Sequence, residues 1–210
     1  MKVLHLRVGA IGTNCYIVFD EETCEGAVID PGDQAESILK AVADEKITVK
    51  YILLTHAHFD HLLAADAVQK ATGAVIVLHE ADLPFIKKET MTAFRPFIKN
   101  YAEPQVDQLA HEGTQVTFGG MTATYLHTPG HTPGSCTIRI GDCLFTGDTM
   151  FRHECGRCDL PGGDFGSMLD SLKRLSEIPG DLKVLPGHEE FSSLDEERRA
   201  NPYVRQALAR

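Results

Sequence analysis

The chain has 210 residues, 43% hydrophobic and 24% charged, with a formal net charge of −10. That length can bury one substantial core, so residues 1–210 read as a single domain. The acidic balance and the lack of a basic run speak against nucleic acid as a partner, and no apolar run approaches the ~20 residues of a membrane span.

The first nine residues alternate like a strand and are too short and too interrupted for an export signal, so a cytoplasmic location is expected. Residues 3–8, 15–19 and 27–29 are short apolar runs bounded by Gly, Asn, Asp and Pro, and read as strands. Apolar residues at helical spacing predict a helix over 33–43. Residues 51–54 form a continuous apolar strand, expected to be buried on both faces. A helix over 61–71 and a strand over 74–78 follow. Residues 80–101 are polar and aromatic, with Phe85, Phe94 and Phe97, and read as one or two short helices or a lid. Strands are expected near 114–118, 122–127, 136–140 and 143–145, then a helix over 165–176, a strand at 183–185 and a closing helix over 194–209. This order fits an α/β fold of two sheets covered by helices on their outer faces.

The six cysteines are expected as free thiols, given no export signal. Cys155-Gly-Arg-Cys158 has no second C-x-x-C to partner it and no thioredoxin-like surroundings, so neither a zinc nor a redox role is expected there.

The chemistry concentrates in a few positions. His56, His58, Asp60 and His61 lie together in T-H-A-H-F-D-H, directly after the strand at 51–54. His131, Asp148 and His188 each follow a turn, in H-T-P-G-H, F-T-G-D-T and L-P-G-H. A histidine or aspartate after Pro-Gly is usually a solvated loop residue, but three histidines and an aspartate packed at a strand end serve no packing purpose. If the chain stays extended past 54, His56, His58 and Asp60 point to one side, while His61 starts the next helix. Five imidazoles and two carboxylates suit two divalent first-row metals. Paired metals ionise water at neutral pH and polarise the group it attacks, which points to a hydrolase.

T-H-A-H-F-D-H resembles the H-x-H-x-D-H signature of the metallo-β-lactamase superfamily, and His131, Asp148 and His188 match its remaining ligand positions in order. The resemblance spans nearly the whole chain. It implies an αββα sandwich, two mixed sheets flanked by helices, with the metals at one edge. It also implies that one metal takes His56, His58 and His131, that the other takes Asp60, His61 and His188, and that Asp148 bridges them. Zinc is the expected metal, with iron or manganese as alternatives. Residues 12–16 (G-T-N-C-Y), 28–32 (V-I-D-P-G), 127–135 and 156–164 resemble short bacterial glyoxalase II-type hydrolases. That implies cleavage of acyl thioesters such as S-lactoylglutathione by a metal-bridging hydroxide, with Asp60 orienting the nucleophile and moving its proton. The alternatives on the same fold are a mononuclear-iron persulfide dioxygenase and a hydrolase of another ester, thioester or lactone. Asp30 either braces a ligand imidazole from behind or is a plain turn residue before Pro-Gly. Arg157 either meets a substrate carboxylate or pairs with Asp159 or Asp164. His127 is expected to support the site without ligating; His5, His79, His111 and His153 are expected in surface or core roles.

Overall fold

The computed structural model describes residues 1–87, 90, 98 and 101–210. β1 (Lys2–Val8) and β2 (Thr13–Phe19) form an antiparallel hairpin, and β2 runs antiparallel to β3 (Glu25–Ile29). After α1 (Ala35–Asp44) the sheet turns parallel. β4 (Thr48–Leu53) is followed by the single turn α2 (Phe59–Leu62), by α3 (Ala65–Thr72), by β5 (Val75–His79) and later by β6 (Gln108–Ala110). Parallel neighbours cannot be joined by a tight turn, so helices make the crossovers. α1 packs down through Ile38 and Val42, and α3 through Ala65 and Val68. Every residue of β2 is buried. Cys15, Ile17 and Phe19 face the helices, whereas Tyr16 and Val18 face the second sheet.

The second sheet is built from β7 (Gln115–Phe118), β8 (Met121–His127), β9 (Cys136–Ile140) and β10 (Cys143–Gly147), an antiparallel meander. A small ribbon of β11 (Met150–Phe151) and β12 (Glu154–Cys155) comes next, then α4 (Phe165–Ser176). β13 (Lys183–Pro186) joins parallel to β10, and β14 (Ser192–Ser193) closes that edge. α5 (Leu194–Ala200) and α6 (Pro202–Leu208) pack with α4 on the outer face, where Met168, Leu172, Leu194 and Val204 meet Leu144 and Val184. Between the sheets, Tyr16, Ile29, Leu53 and Val77 interdigitate with Tyr125, Ile138 and Phe145. The layers are therefore helix, sheet, sheet, helix, the expected αββα sandwich.

Two of the expected elements depart from the sequence reading. The helix expected over 61–71 is two helices, because Ala64 N–H donates to Pro31 O (2.9 Å) and docks the chain on the neighbouring loop. The closing helix breaks at Asn201, whose ψ of 117 is what the following Pro202 imposes. Asn201 then caps α6, its Oδ1 accepting from Tyr203 N and Val204 N. In the segment 80–101, Glu80–Ile86 form a 3-10 helix, while Phe94 and Phe97 lie outside the described residues. Among the described residues no helix is long and apolar enough to cross a membrane.

Candidate metal centre

The candidate ligands meet where the parallel strand pairs of both sheets end, the usual place for a site in an α/β fold. β4 stops at Leu53 and residues 55–58 turn across its end. β10 runs into Asp148, and its parallel neighbour β13 runs into Gly187 and His188. His131 arrives on the loop between β8 and β9. The extended run expected from His56 to Asp60 ends at His58 (φ −72, ψ 148), because α2 begins at Phe59. Asp60 and His61 are thus consecutive helical residues, which sets them apart from His56 and His58.

The structure brings all seven side chains together. Three trios of donor atoms each lie within 4.8 Å of one another: His56, His58 and His131; His56, His61 and Asp148; Asp60, His61 and His188. His58 Nδ1 stands 2.7 Å from His131 Nε2, and His61 Nε2 stands 3.3 Å from His188 Nε2. Asp148 reaches between the groups, with Oδ2 3.3 Å from His131 Nε2 and 3.6 Å from His188 Nε2, and Oδ1 3.4 Å from His61 Nε2. Asp60 Oδ2 lies 3.1 Å from His188 Nε2. His56 Nε2 and Asp148 Oδ1 are buried without a hydrogen-bond partner. Orphaned buried polar atoms are costly and rare. Imidazole nitrogens and carboxylate oxygens converging in this way fit divalent metal ions.

The electrostatics divide the donors into two kinds. Burial, helped by the nearby His61, holds His56 well below the usual histidine pKa. Burial, with His131 beside it, brings His58 down to about 4. Both rings are therefore neutral, the form that ligates. Burial opposes charge on Asp148, but His61 and His131 outweigh it and hold the carboxyl well below the usual range. On His61 burial is likewise outweighed, by Asp148, Asp60 and Asp30, and its pKa rises.

Behind the donors sits a second set of buried groups. Asp30 Oδ2 is 2.9 Å from His61 Nδ1 and also accepts from Thr55 Oγ1 (2.6 Å), while Oδ1 accepts from Thr55 N (2.8 Å). Asp30 therefore holds the His61 imidazole from behind as well as shaping the turn, where its φ is 50. Thr55 Oγ1 also lies 3.1 Å from His56 Nδ1. Asp82, in the 3-10 helix, is fully buried and accepts from Ala57 N (2.9 Å), Thr132 Oγ1 (2.8 Å) and Gly134 N (2.7 Å). It ties the His56–His58 turn to the His131 loop. The G-T-N-C-Y segment has a similar use: Thr13 Oγ1 donates to Asp60 Oδ2 (3.2 Å), and Asn14 Nδ2 and Tyr16 Oη donate to Pro186 O beneath His188. Gly187 leaves the floor open, since a Cβ there would sit 2.4 Å from Asp148 Oδ1 and 2.6 Å from His61 Cε1.

Asp82 escapes a reading of local sequence, because a single polar residue in a turn carries no spacing signal; Thr13, Asn14 and Tyr16 lie in the G-T-N-C-Y segment and Thr55 in T-H-A-H-F-D-H, but neither motif tells what their side chains hold. Arg157 pairs bidentately with Asp159 (2.7 and 2.8 Å), while its carbonyl receives His131 Nδ1 (2.7 Å). His127 supports the same loop, with Nε2 2.8 Å from Pro133 O, and stacks on His79. Both C-x-x-C cysteines are free, and burial pushes Cys155 up to about 12, which leaves little reactive thiolate.

The donors open onto a cavity of about 750 Å³. Its walls carry Ile11, Phe59, Phe151 and Leu160, and its rim carries Arg7, Arg152, Arg157, Glu154, Glu189 and Glu190.

Two mixed sheets face to face, helices outside, and a histidine–aspartate cluster at one edge define the class. The model of the metallo-beta-lactamase superfamily matches residues 8–188, and the chain belongs to that superfamily. It is 36% identical to an uncharacterized protein of Aquifex aeolicus, over 99% of each chain. It is 29% identical to the hydroxyacylglutathione hydrolase GloC of Haemophilus influenzae, over 97% of this chain and 98% of that one. Among solved structures it is similar to the BLEG-1 B3 metallo-beta-lactamase (TM-score 0.89, 30% identity, 97% and 99% of the two chains). It is also similar to TTHA1623 in a di-iron-bound form (TM-score 0.85, 35% identity, 95% and 99%). ETHE1 from Myxococcus xanthus is a further structural relative (TM-score 0.80, 30% identity, 96% and 84%).

Proposed function

We propose that this protein is a dinuclear-metal hydrolase of small acyl thioesters, with S-lactoylglutathione the representative substrate. One observation carries the reading: the donor trios converge at the floor of an open cavity, with His56 Nε2 and Asp148 Oδ1 buried without a hydrogen-bond partner among the described residues. His56, His58 and His131 would hold one ion and Asp60, His61 and His188 the other, with Asp148 shared; zinc suits this nitrogen and oxygen set, as do iron and manganese. Such ions, when bound, supply an ionised water and polarise the carbonyl it attacks. The chain's own part is positional. Asp60 faces the cavity from α2 with Oδ2 held by Thr13. Burial opposes its ionisation, but His61 prevails and lowers its pKa, so it stays a carboxylate at neutral pH, able to ligate a cation and to orient the attacking water by a hydrogen bond. A thiolate leaves without a strong acid, and none is needed from the protein. The hydrolase GloC, similar over nearly the whole chain, supports the substrate class. The net charge of −10 favours a small-molecule substrate over nucleic acid, and a cytoplasmic location belongs to the same reading.

Persulfide dioxygenation by one iron is the second reading, favoured by the likeness to ETHE1. The likeness to a chain in a di-iron-bound form favours two ions. Steady-state hydrolysis of S-D-lactoylglutathione, with metal counted on the same sample, separates them. Turnover with about two ions per chain, abolished by chelation and restored by metal, is the expected result. No turnover with a single iron would replace the hydrolase by the dioxygenase.

A further inference from the structure

Among the described residues three arginines line the cavity, and two of them are already engaged. Arg152 pairs with Glu190 and Glu196, and Arg157 pairs with Asp159. Arg7 differs. Among the described residues it has no carboxylate within 4.0 Å. Among the described residues its one side-chain hydrogen bond runs from Nε to Gly12 O (3.2 Å) across the β1–β2 hairpin. Its guanidinium lies against Gly12, where a Cβ would stand 2.7 Å from Nε. The head is thus held by its inner edge, and both Nη groups are left without a partner. An arginine fixed in this way is pre-organised to receive a planar anion on its free edge. Beside it the hairpin tip presents Ile11, 46% exposed, as part of the cavity wall. Asn14, opposite Arg7 in the hairpin, donates to the backbone of Glu189 (3.1 Å). Glu189 lines the same cavity, and among the described residues its carboxylate does not pair with Arg7.

Resting on the thioester-hydrolase reading, we propose that Arg7 sets specificity by pairing with a carboxylate of the substrate, so that the enzyme prefers anionic thioesters over neutral ones. The scissile carbonyl lies at the donor floor, the acyl or thiol chain runs along Ile11 and Phe151, and a terminal carboxylate meets Arg7 at the rim. Glu189, on the same rim, excludes anions that approach off this line.

The test compares S-D-lactoylglutathione, which carries carboxylates, with the neutral S-lactoyl-N-acetylcysteamine, on the metal-replete protein. The expected result is a wild-type preference for the first that Arg7→Ala reduces about ten- to thirty-fold, through KM more than kcat. Arg7→Lys keeps the charge but loses the fork and falls between. Gly12→Ala keeps the arginine but displaces its head, and reduces the same preference. Binding of S-methylglutathione is measured by calorimetry in parallel, with thermal melting to confirm that each variant folds. An equal effect of Arg7→Ala on both thioesters would overturn the proposal, as would wild-type indifference between them. If neither thioester is hydrolysed, the function reading fails separately. The binding data then decide Arg7: weaker binding to Arg7→Ala sustains the assignment, and equal or absent binding removes it.

Discussion

The floor of the cavity and its rim are built from the same residue types under opposite rules. On the floor, Asp30 and Asp82 are buried, and each carboxylate oxygen has a designated donor. On the rim, Arg152, Arg157, Glu190 and Asp159 pair in solvent, with side chains 42–75% exposed. Burial removes water as the alternative partner, so losing one floor contact leaves an unsatisfied group. At the rim water replaces whatever is lost. The floor therefore fixes geometry, and the rim is free to tune which substrates enter.

This contrast can be broken at graded points. Asp148→Ala removes the carboxylate shared by both donor groups; kcat/KM is expected to fall by about a thousand-fold, with loss of bound metal on the same sample. Retained metal and turnover would mean that Asp148 is not shared. Asp82→Ala strands three buried donors and is expected to cost about 3–4 kcal/mol, read as a lower denaturation midpoint. Asp82→Asn should rescue only part of this, since its amide sets a donor against donors. Asp30→Asn should weaken metal binding by about 10- to 100-fold with little change in melting, because Thr55 keeps one acceptor. A melting loss as large as that of Asp82→Ala would make Asp30 a structural residue only.

Histidine protonation should separate the layers by pH. Burial brings His79 from 6.5 down to about 4, and His127 and His111 add repulsion, while Glu80 and Glu112 oppose it more weakly. The folded state binds fewer protons there than the unfolded chain does. Stability is thus intact above 6.5 and declines as pH falls from there to about 4. His79→Gln should flatten the melting profile across that window, and an unchanged slope would assign the loss elsewhere. The smallest effect is expected at the rim, where Arg157→Ala should leave the melting temperature within error. A large drop would show that the side chain, and not only the carbonyl that holds His131, is structural.

The donors were legible in sequence because a metal site demands residue types that packing never selects. His56, His58, Asp60 and His61 stand out as a block, and His131, Asp148 and His188 follow turns that end apolar runs. The layered fold was legible from the apolar runs, whose burial requires two faces. The braces were not legible. Asp30 admits two readings in sequence, because an aspartate before Pro-Gly looks the same whether or not an imidazole lies behind it. Asp82 gave no signal, since its donors come from residues 25, 50 and 52 positions away.

The sequence alone therefore determined the periodicities, the breaks that glycine and proline impose, and the inventory of metal donors, all of which depend on near neighbours. Tertiary structure decided which donors share a trio, that Asp60 joins His61 on a helical turn, and that among the described residues Arg157 meets a carboxylate while Arg7 does not. Those outcomes depend on which strand ends the two sheets bring together, and on whether water or protein surrounds each charge.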